Sequence, residues 1–406
     1  MSRSRRKAIL GLSDLSIREY CPARLIMMAR AAKVMAGARD QRAVRTRFAS
    51  DALHQINGGT MLLSHRAELT PQMLQYADKF DDRGDIRWMP YLMYFHPPDH
   101  RSEVVNTDRL GFRISHGADE QASIGGCLPQ SPVRLLVGSS TAFGIGATND
   151  AATLASRLWS RHAPSAPWLN FAGRSHNSTQ ELLLFLLYRH LLPRVDEIVI
   201  FSGFNDLGLA RLPKSQQGDH GAFFNCGQFF DQMGQLRDRQ RREKSRFGSV
   251  GRRRSEPPEA ASPEASAPPS LDEQIAHAVE LTTRHLDSWR PLAEASGARL
   301  SYVLQPLATW VREERAPQED LLFDELDAIS NFGEVYGDIA TMESGRRYSD
   351  ELRQGCGKLG VPFYDMNPVL ADAVSRDDWL FVDRIHFTDE GHDIVSGLLA
   401  DMLSLS

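Results

Sequence analysis

The chain lacks several features that would assign a protein quickly. Its four cysteines, Cys21, Cys127, Cys226 and Cys356, are scattered, with no CxxC pair and no metal-type spacing. That argues against a disulfide framework or thiolate metal centre and reads as reduced thiols in a cytoplasmic protein. No apolar run approaches the roughly 18 residues of a membrane span. Ser4-Arg5-Arg6 faintly resembles a twin-arginine signal, but the apolar stretch behind it ends at Leu12. Asp14, Arg18 and Glu19 then interrupt it, so no signal-peptide core forms. Charge of one sign is not in excess either. Lys plus Arg number 47 against 52 Asp plus Glu, and a net −5 gives no general attraction for nucleic acid. There is no repeat period and no cofactor motif. No cofactor and no metal is expected.

What is present is an ordinary globular composition, 42% hydrophobic and 24% charged over 406 residues, enough for a large core. Residues 1–105 are expected to form a mostly helical extension. Leu25, Met28, Ala31, Ala32 and Met35 recur at helical spacing, while Arg24, Arg30, Lys33, Arg39, Arg42, Arg45 and Arg47 supply a basic face. That face is either simply solvated or a docking surface for an acidic partner, such as an anionic lipid surface or an acidic carrier protein. Leu69-Thr70-Pro71 starts another helix, and the aromatic-rich Trp88 to His96 reads as core or lid. Asn106 to Arg113, NTDRLGFR, suggests no function by itself.

The next stretch organises the rest. Val133 to Val137 is a short apolar run that reads as a buried strand, broken sharply at Gly138-Ser139-Ser140. Asp150 or Thr148 is then placed to cap a helix carrying Leu154 and Leu158. Trp168 to Gly173 is a second strand, followed by a helix over Leu182 to Leu192. Glu197 to Phe201 is a third, ending at Ser202-Gly203-Phe204-Asn205-Asp206. Strand and helix alternating at this spacing predict a parallel sheet with right-handed crossovers, so the polar strand ends share one edge. Leu300 to Leu304 and Val361 to Asp365 supply two more strands, Leu271 to Ser296 a long amphipathic helix stopped by Gly297, and Ile394 to Leu405 a closing helix. Residues 237–270 break the pattern. Positions 237–254 hold nine basic and two acidic side chains, and SEPPEAASPEASAPPS follows. That composition predicts a disordered insertion, whose basic half is either simply solvated or a contact for nucleic acid or an acidic partner.

Serine-based acyl chemistry needs a hydroxyl on a tight turn, a histidine base, and a carboxylate to hold that base in the right tautomer. Ser140 follows a strand end. Asp383 and His386 stand three apart just before the last helix, close enough for the carboxylate to accept from Nδ1. His392 reads as structural.

Ser140 on its Gly-Ser-Ser turn with Gly144, Gly173 at the second strand end, Gly203-Phe-Asn205-Asp206 at the third and Asp383-Arg-Ile-His386 resemble the four ordered blocks of the SGNH (GDSL-type) hydrolases. The Asn106 to Arg113 lead-in is similar to that of many bacterial members, and the resemblance spans about residues 106–404. It implies a three-layer α/β/α sandwich, flavodoxin-like, with a parallel sheet of about five strands. The catalytic domain would be residues 106–236 and 271–406, and substrate selection would lie in the extension and the insertion. It further implies Ser140 as nucleophile, His386 as base and then acid, and Asp383 as orienter. The N–H groups of Ser140 and Gly173 and the side-chain amide of Asn205 would form the oxyanion hole. Asp206 would brace its loop, and Asn177 would neighbour the oxyanion loop. Ser139 departs from the pattern, where the family usually has aspartate. The substrate would be an acyl ester or thioester, small or carrier-bound. An acyltransferase passing the acyl group to a sugar or amine, and a non-catalytic scaffold on the same fold, remain open. Trp88, Tyr91 and Tyr94 could stack on a sugar only if they fold over the Ser140 edge.

Overall fold

The computed structural model describes residues 64–79, 86–214, 217–227, 268–329 and 332–406. The helical reading of residues 1 to about 60 lies outside these residues; of the disordered reading of 237–270 only 268–270 are described, and there Ser270 caps the helix that follows. Among the described residues, no helix is long and apolar enough to cross a membrane.

Two short helices, α1 (Ser64–Leu69) and α2 (Met73–Lys79), precede a hairpin of β1 (Arg87–Met89) and β2 (Met93–Phe95) and a second small pair, β3 (Ser115–His116) and β4 (Gln121–Ala122). The α/β core then runs β5 (Val133–Gly138), α3 (Ser140–Phe143), α4 (Leu154–Arg157), β6 (Trp168–Ala172), α5 (Ser178–Tyr188), β7 (Val195–Ser202), α6 (Phe204–Leu209). It continues with α7 (Leu271–Ser296), β8 (Arg299–Leu304), α8 (Ala308–Val311), α9 (Pro317–Ile329), α10 (Phe332–Tyr336), α11 (Met342–Leu359), β9 (Phe363–Asp365), α12 (Met366–Ala373) and α13 (Asp389–Met402).

Five strands pair in parallel in the order β6-β5-β7-β8-β9, the sheet expected from the alternating pattern. Parallel strands covered on both faces become continuous apolar runs. Leu135, Leu136, Val137, Ile198, Val199, Ile200 and Phe201 are accordingly buried. Helix α7 packs on both α5 and α11, and α13 packs on α4 and α12, giving layers of helix around the sheet. Strand order reverses between β5 and β7, and ligands of open α/β sheets bind in the crevice at such a switch point.

Local signals account for the helix ends. Asn177 caps α5 in a capping box with Gln180, so that helix begins at Ser178, four residues before the predicted Leu182. Ser270 and Glu273 make the same box on α7, and Gly297 closes it in the left-handed region. Thr388 accepts from the Gly391 N–H and starts α13 at Asp389, ahead of the predicted Ile394. The capping role expected of Asp150 or Thr148 falls instead to Thr153, which accepts from Ser156. Asp150 is drawn away because its buried carboxylate meets the Arg113 guanidinium at 2.7 Å. The aromatic segment Trp88 to His96 is the first hairpin, with Tyr94, Phe95 and His96 buried as core.

Candidate active site

Two loops meet at the carboxyl edge of β5. Gly138 ends that strand at φ 156°, and a Cβ there would lie 2.1 Å from the Phe201 carbonyl on β7, so glycine is required for the strand ends to stay paired. Ser140 follows on the four-residue α3, buried except for 8% of its surface. The second loop, Phe381 to Phe387, is pinched by an antiparallel bridge between its ends and by a Val382 N–H to His386 carbonyl bond of 2.9 Å.

The structure brings Ser140, His386 and Asp383 together. His386 Nε2 lies 2.8 Å from Ser140 Oγ, and Nδ1 lies 2.8 Å from Asp383 Oδ2 and 3.1 Å from Oδ1. An ionised carboxylate can only accept, so Nδ1 carries the proton and Nε2 is left to accept from the serine hydroxyl. Asp383 Oδ1 also accepts from the N–H groups of Ile385 and His386, each at 2.8 Å. Burial alone would raise the Asp383 carboxyl, but the neighbouring imidazole and these donors outweigh it and hold the group below the usual carboxylate value.

The other expected residues divide. Asn205, at the start of α6 beyond β7, donates one amide N–H to the His176 carbonyl at 2.7 Å. An amide has two such protons, and the second has no acceptor among the described residues. The Ser140 N–H likewise has none. Gly173 is different. Its N–H donates to the Gly138 carbonyl at 3.0 Å, continuing the β5–β6 ladder, so it is engaged and not an oxyanion donor. A Cβ at Gly173 would lie 2.0 Å from the His176 ring, which explains a glycine there by packing. Within this loop, Ser175 is the residue held at positive φ, 54°. Asn177 is a helix cap. Asp206 braces, accepting from the Ser178 hydroxyl at 2.6 Å and N–H at 3.1 Å. His285 Nδ1 lies 2.8 Å from the same hydroxyl, whose proton is committed to Asp206, so the imidazole donates. His392 is fully buried, as a structural histidine should be.

Several supports carry no local sequence signal. Ser139 Oγ donates to Gln305 Oε1 at 3.1 Å, and Gln305 Nε2 donates to Thr141 at 3.0 Å, so an amide strut from the end of β8 flanks the nucleophile. Glu319 on α9 accepts from the N–H groups of Leu380 and Phe381 at 3.0 and 3.1 Å. Arg384, between Asp383 and His386, lies against the rings of Phe323 and Phe332 and pairs with Asp327. The hairpin reaches the same edge, since the Tyr94 hydroxyl donates to the Ser175 carbonyl at 2.7 Å.

A model of the GDSL-like Lipase/Acylhydrolase family matches residues 136–394. No curated protein matches the chain. Among solved structures, it is similar to an extracellular lipase from Streptomyces rimosus at 14% identity, covering 68% of this chain and 100% of that one with a TM-score of 0.36. A carbohydrate acetylesterase from Sinorhizobium meliloti is similar at 13% identity, with 68% and 99% covered and a TM-score of 0.37. A lipase/acylhydrolase from Enterococcus faecalis follows at 11%, with 67% and 95% covered and a TM-score of 0.34.

Proposed function

The chain belongs to the GDSL-like Lipase/Acylhydrolase family and is an ester-hydrolysing enzyme; on that premise we propose that it works through an acyl-enzyme on Ser140. The hydroxyl attacks the acyl carbonyl as His386 Nε2 takes its proton. His386 then returns that proton to the leaving alcohol or thiol, and repeats the cycle on the water that releases the acid. Asp383 keeps Nδ1 protonated and stabilises the imidazolium. The developing oxyanion is received by the Ser140 N–H and the second amide N–H of Asn205, each donor of this kind lowering the barrier by roughly 3–4 kcal/mol.

The observation that carries this reading is the unbroken line of 2.8 Å contacts from Ser140 Oγ through His386 to Asp383. A non-catalytic scaffold would have no use for a hydroxyl aligned on a correctly tautomerised imidazole. The substrate is proposed as an acyl ester or thioester, free or carrier-bound. Residues 106–236 with 271–406 are proposed as the catalytic unit, with the basic face of Arg24 to Arg47 or the basic positions within 237–254 receiving an acidic partner.

A panel of short and long acyl esters, acyl thioesters and acetylated sugars tests this. The expected result is hydrolysis of at least one, with a pre-steady-state burst and an acyl adduct on Ser140. Turnover that survives Ser140→Ala would refute it. Products analysed with and without a sugar or amine acceptor separate hydrolysis from acyl transfer.

A further inference from the structure

The turn that follows Ser140 is held by side chains from sequence that precedes the family match. Gly144 and Ile145 both donate their N–H groups to the Ser140 carbonyl, at 3.0 and 3.1 Å, so a shift of this turn shifts the nucleophile's own backbone. Gly146 takes φ 98°, and a Cβ there would lie 2.2 Å from the carbonyl of Phe387, the residue after His386. The same turn therefore abuts both halves of the proposed serine–histidine pair.

Its carbonyls face a converging set of donors. Arg113, fully buried, donates through Nη1 to the Gly144 carbonyl at 2.8 Å and through Nη2 to the Val104 carbonyl at 2.8 Å, while Nε binds Asp150. The Tyr76 hydroxyl accepts from Arg113 Nη1 at 3.1 Å and has one proton for two carbonyls, Gly144 at 3.0 Å and Ala147 at 2.8 Å. Gln72 Nε2 donates to the Gly146 carbonyl at 2.8 Å. Asp150 is itself held by the Asn106 amide at 2.7 Å, which gives the Asn106 to Arg113 lead-in a physical purpose.

The geometry points to Tyr76 and Arg113 as positioning residues for the Ser140 hydroxyl, acting through the Phe143–Ala147 turn. This rests on Ser140 being the nucleophile. Arg113 satisfies three directions at once with a planar fork that a lysine ammonium cannot reproduce. A misplacement of about 1 Å, caused far from the chemistry, can cost about a hundredfold in rate. Helix α2 and the lead-in thus help to position the nucleophile, although the family match begins only at residue 136.

The test compares the parent with Tyr76→Phe and Arg113→Lys in the full chain, at a temperature where each is shown folded by its melting curve. The readouts are the second-order rate of labelling by a fluorophosphonate, and kcat and KM for p-nitrophenyl acetate. Tyr76→Phe, which removes one oxygen, should label about tenfold more slowly and lose kcat by the same factor with KM within about twofold. Arg113→Lys should lose about a hundredfold. If the parent labels and folded Tyr76→Phe labels at the parent rate with only its melting temperature lowered, the residues are merely structural and the inference is overturned. A folded parent that does not label at all overturns the nucleophile itself.

Discussion

His386 Nε2 stands 2.8 Å from Ser140 Oγ across 246 positions of sequence. Nothing local to either residue enforces that distance. It follows from a strand order that places β5 at the switch point, and from a histidine loop fastened to α9 through Glu319 and Arg384.

The tautomer argument makes Asp383 testable. Asp383→Asn keeps the shape but lets the histidine settle with its proton on Nε2, pointing at the serine. A drop in kcat of about 10⁴ is expected with the fold intact. A loss below tenfold, measured on the best ester of the panel, would remove Asp383 from the proposed role.

Asn205→Ala should lower kcat about 10²- to 10³-fold with a smaller change in KM, because its amide donor matters most when charge develops on oxygen. Gly173→Ala should instead report on packing. Its N–H is already bound in the ladder, and the added methyl collides with His176, so thermal stability should fall first.

Gly146→Ala combines a left-handed backbone with a clash against the Phe387 carbonyl. A destabilisation of about 1–3 kcal/mol is expected in urea unfolding. Stability unchanged within about 0.5 kcal/mol would mean that the serine turn and histidine loop are not packed as described.

Asp206 links stability to pH. Burial pushes its carboxyl from 3.8 up to about 6, against the bonds it accepts from Ser178. The folded chain therefore holds a proton that the unfolded chain has already released. This contribution is full below about pH 4 and is lost as pH rises through about 6, a change of order 3 kcal/mol. Asp206→Asn should flatten the slope of melting temperature between pH 4 and 7 relative to the parent. Parallel slopes would contradict it.

Much of this was legible beforehand. Buried parallel strands have to be apolar on both faces, so Val133 to Val137 and Glu197 to Phe201 announced themselves, and the glycines ending them marked the active edge. Asp383 and His386 were readable because their contact is local. What tertiary structure alone decides was not readable. Asp150 looks like a helix cap until Arg113 is seen to claim it. Gly173 looks like a donor until its N–H is seen in the ladder. Gln305, Glu319, Arg384 and Tyr76 act across long separations with no spacing to betray them.

The most direct test of the account is covalent. A fluorophosphonate probe applied to the folded parent, followed by peptide mapping, should place a single adduct on Ser140, with none on Ser140→Ala and sharply slowed labelling of His386→Ala. An unlabelled parent, or an adduct on any other residue that persists in Ser140→Ala, would contradict it.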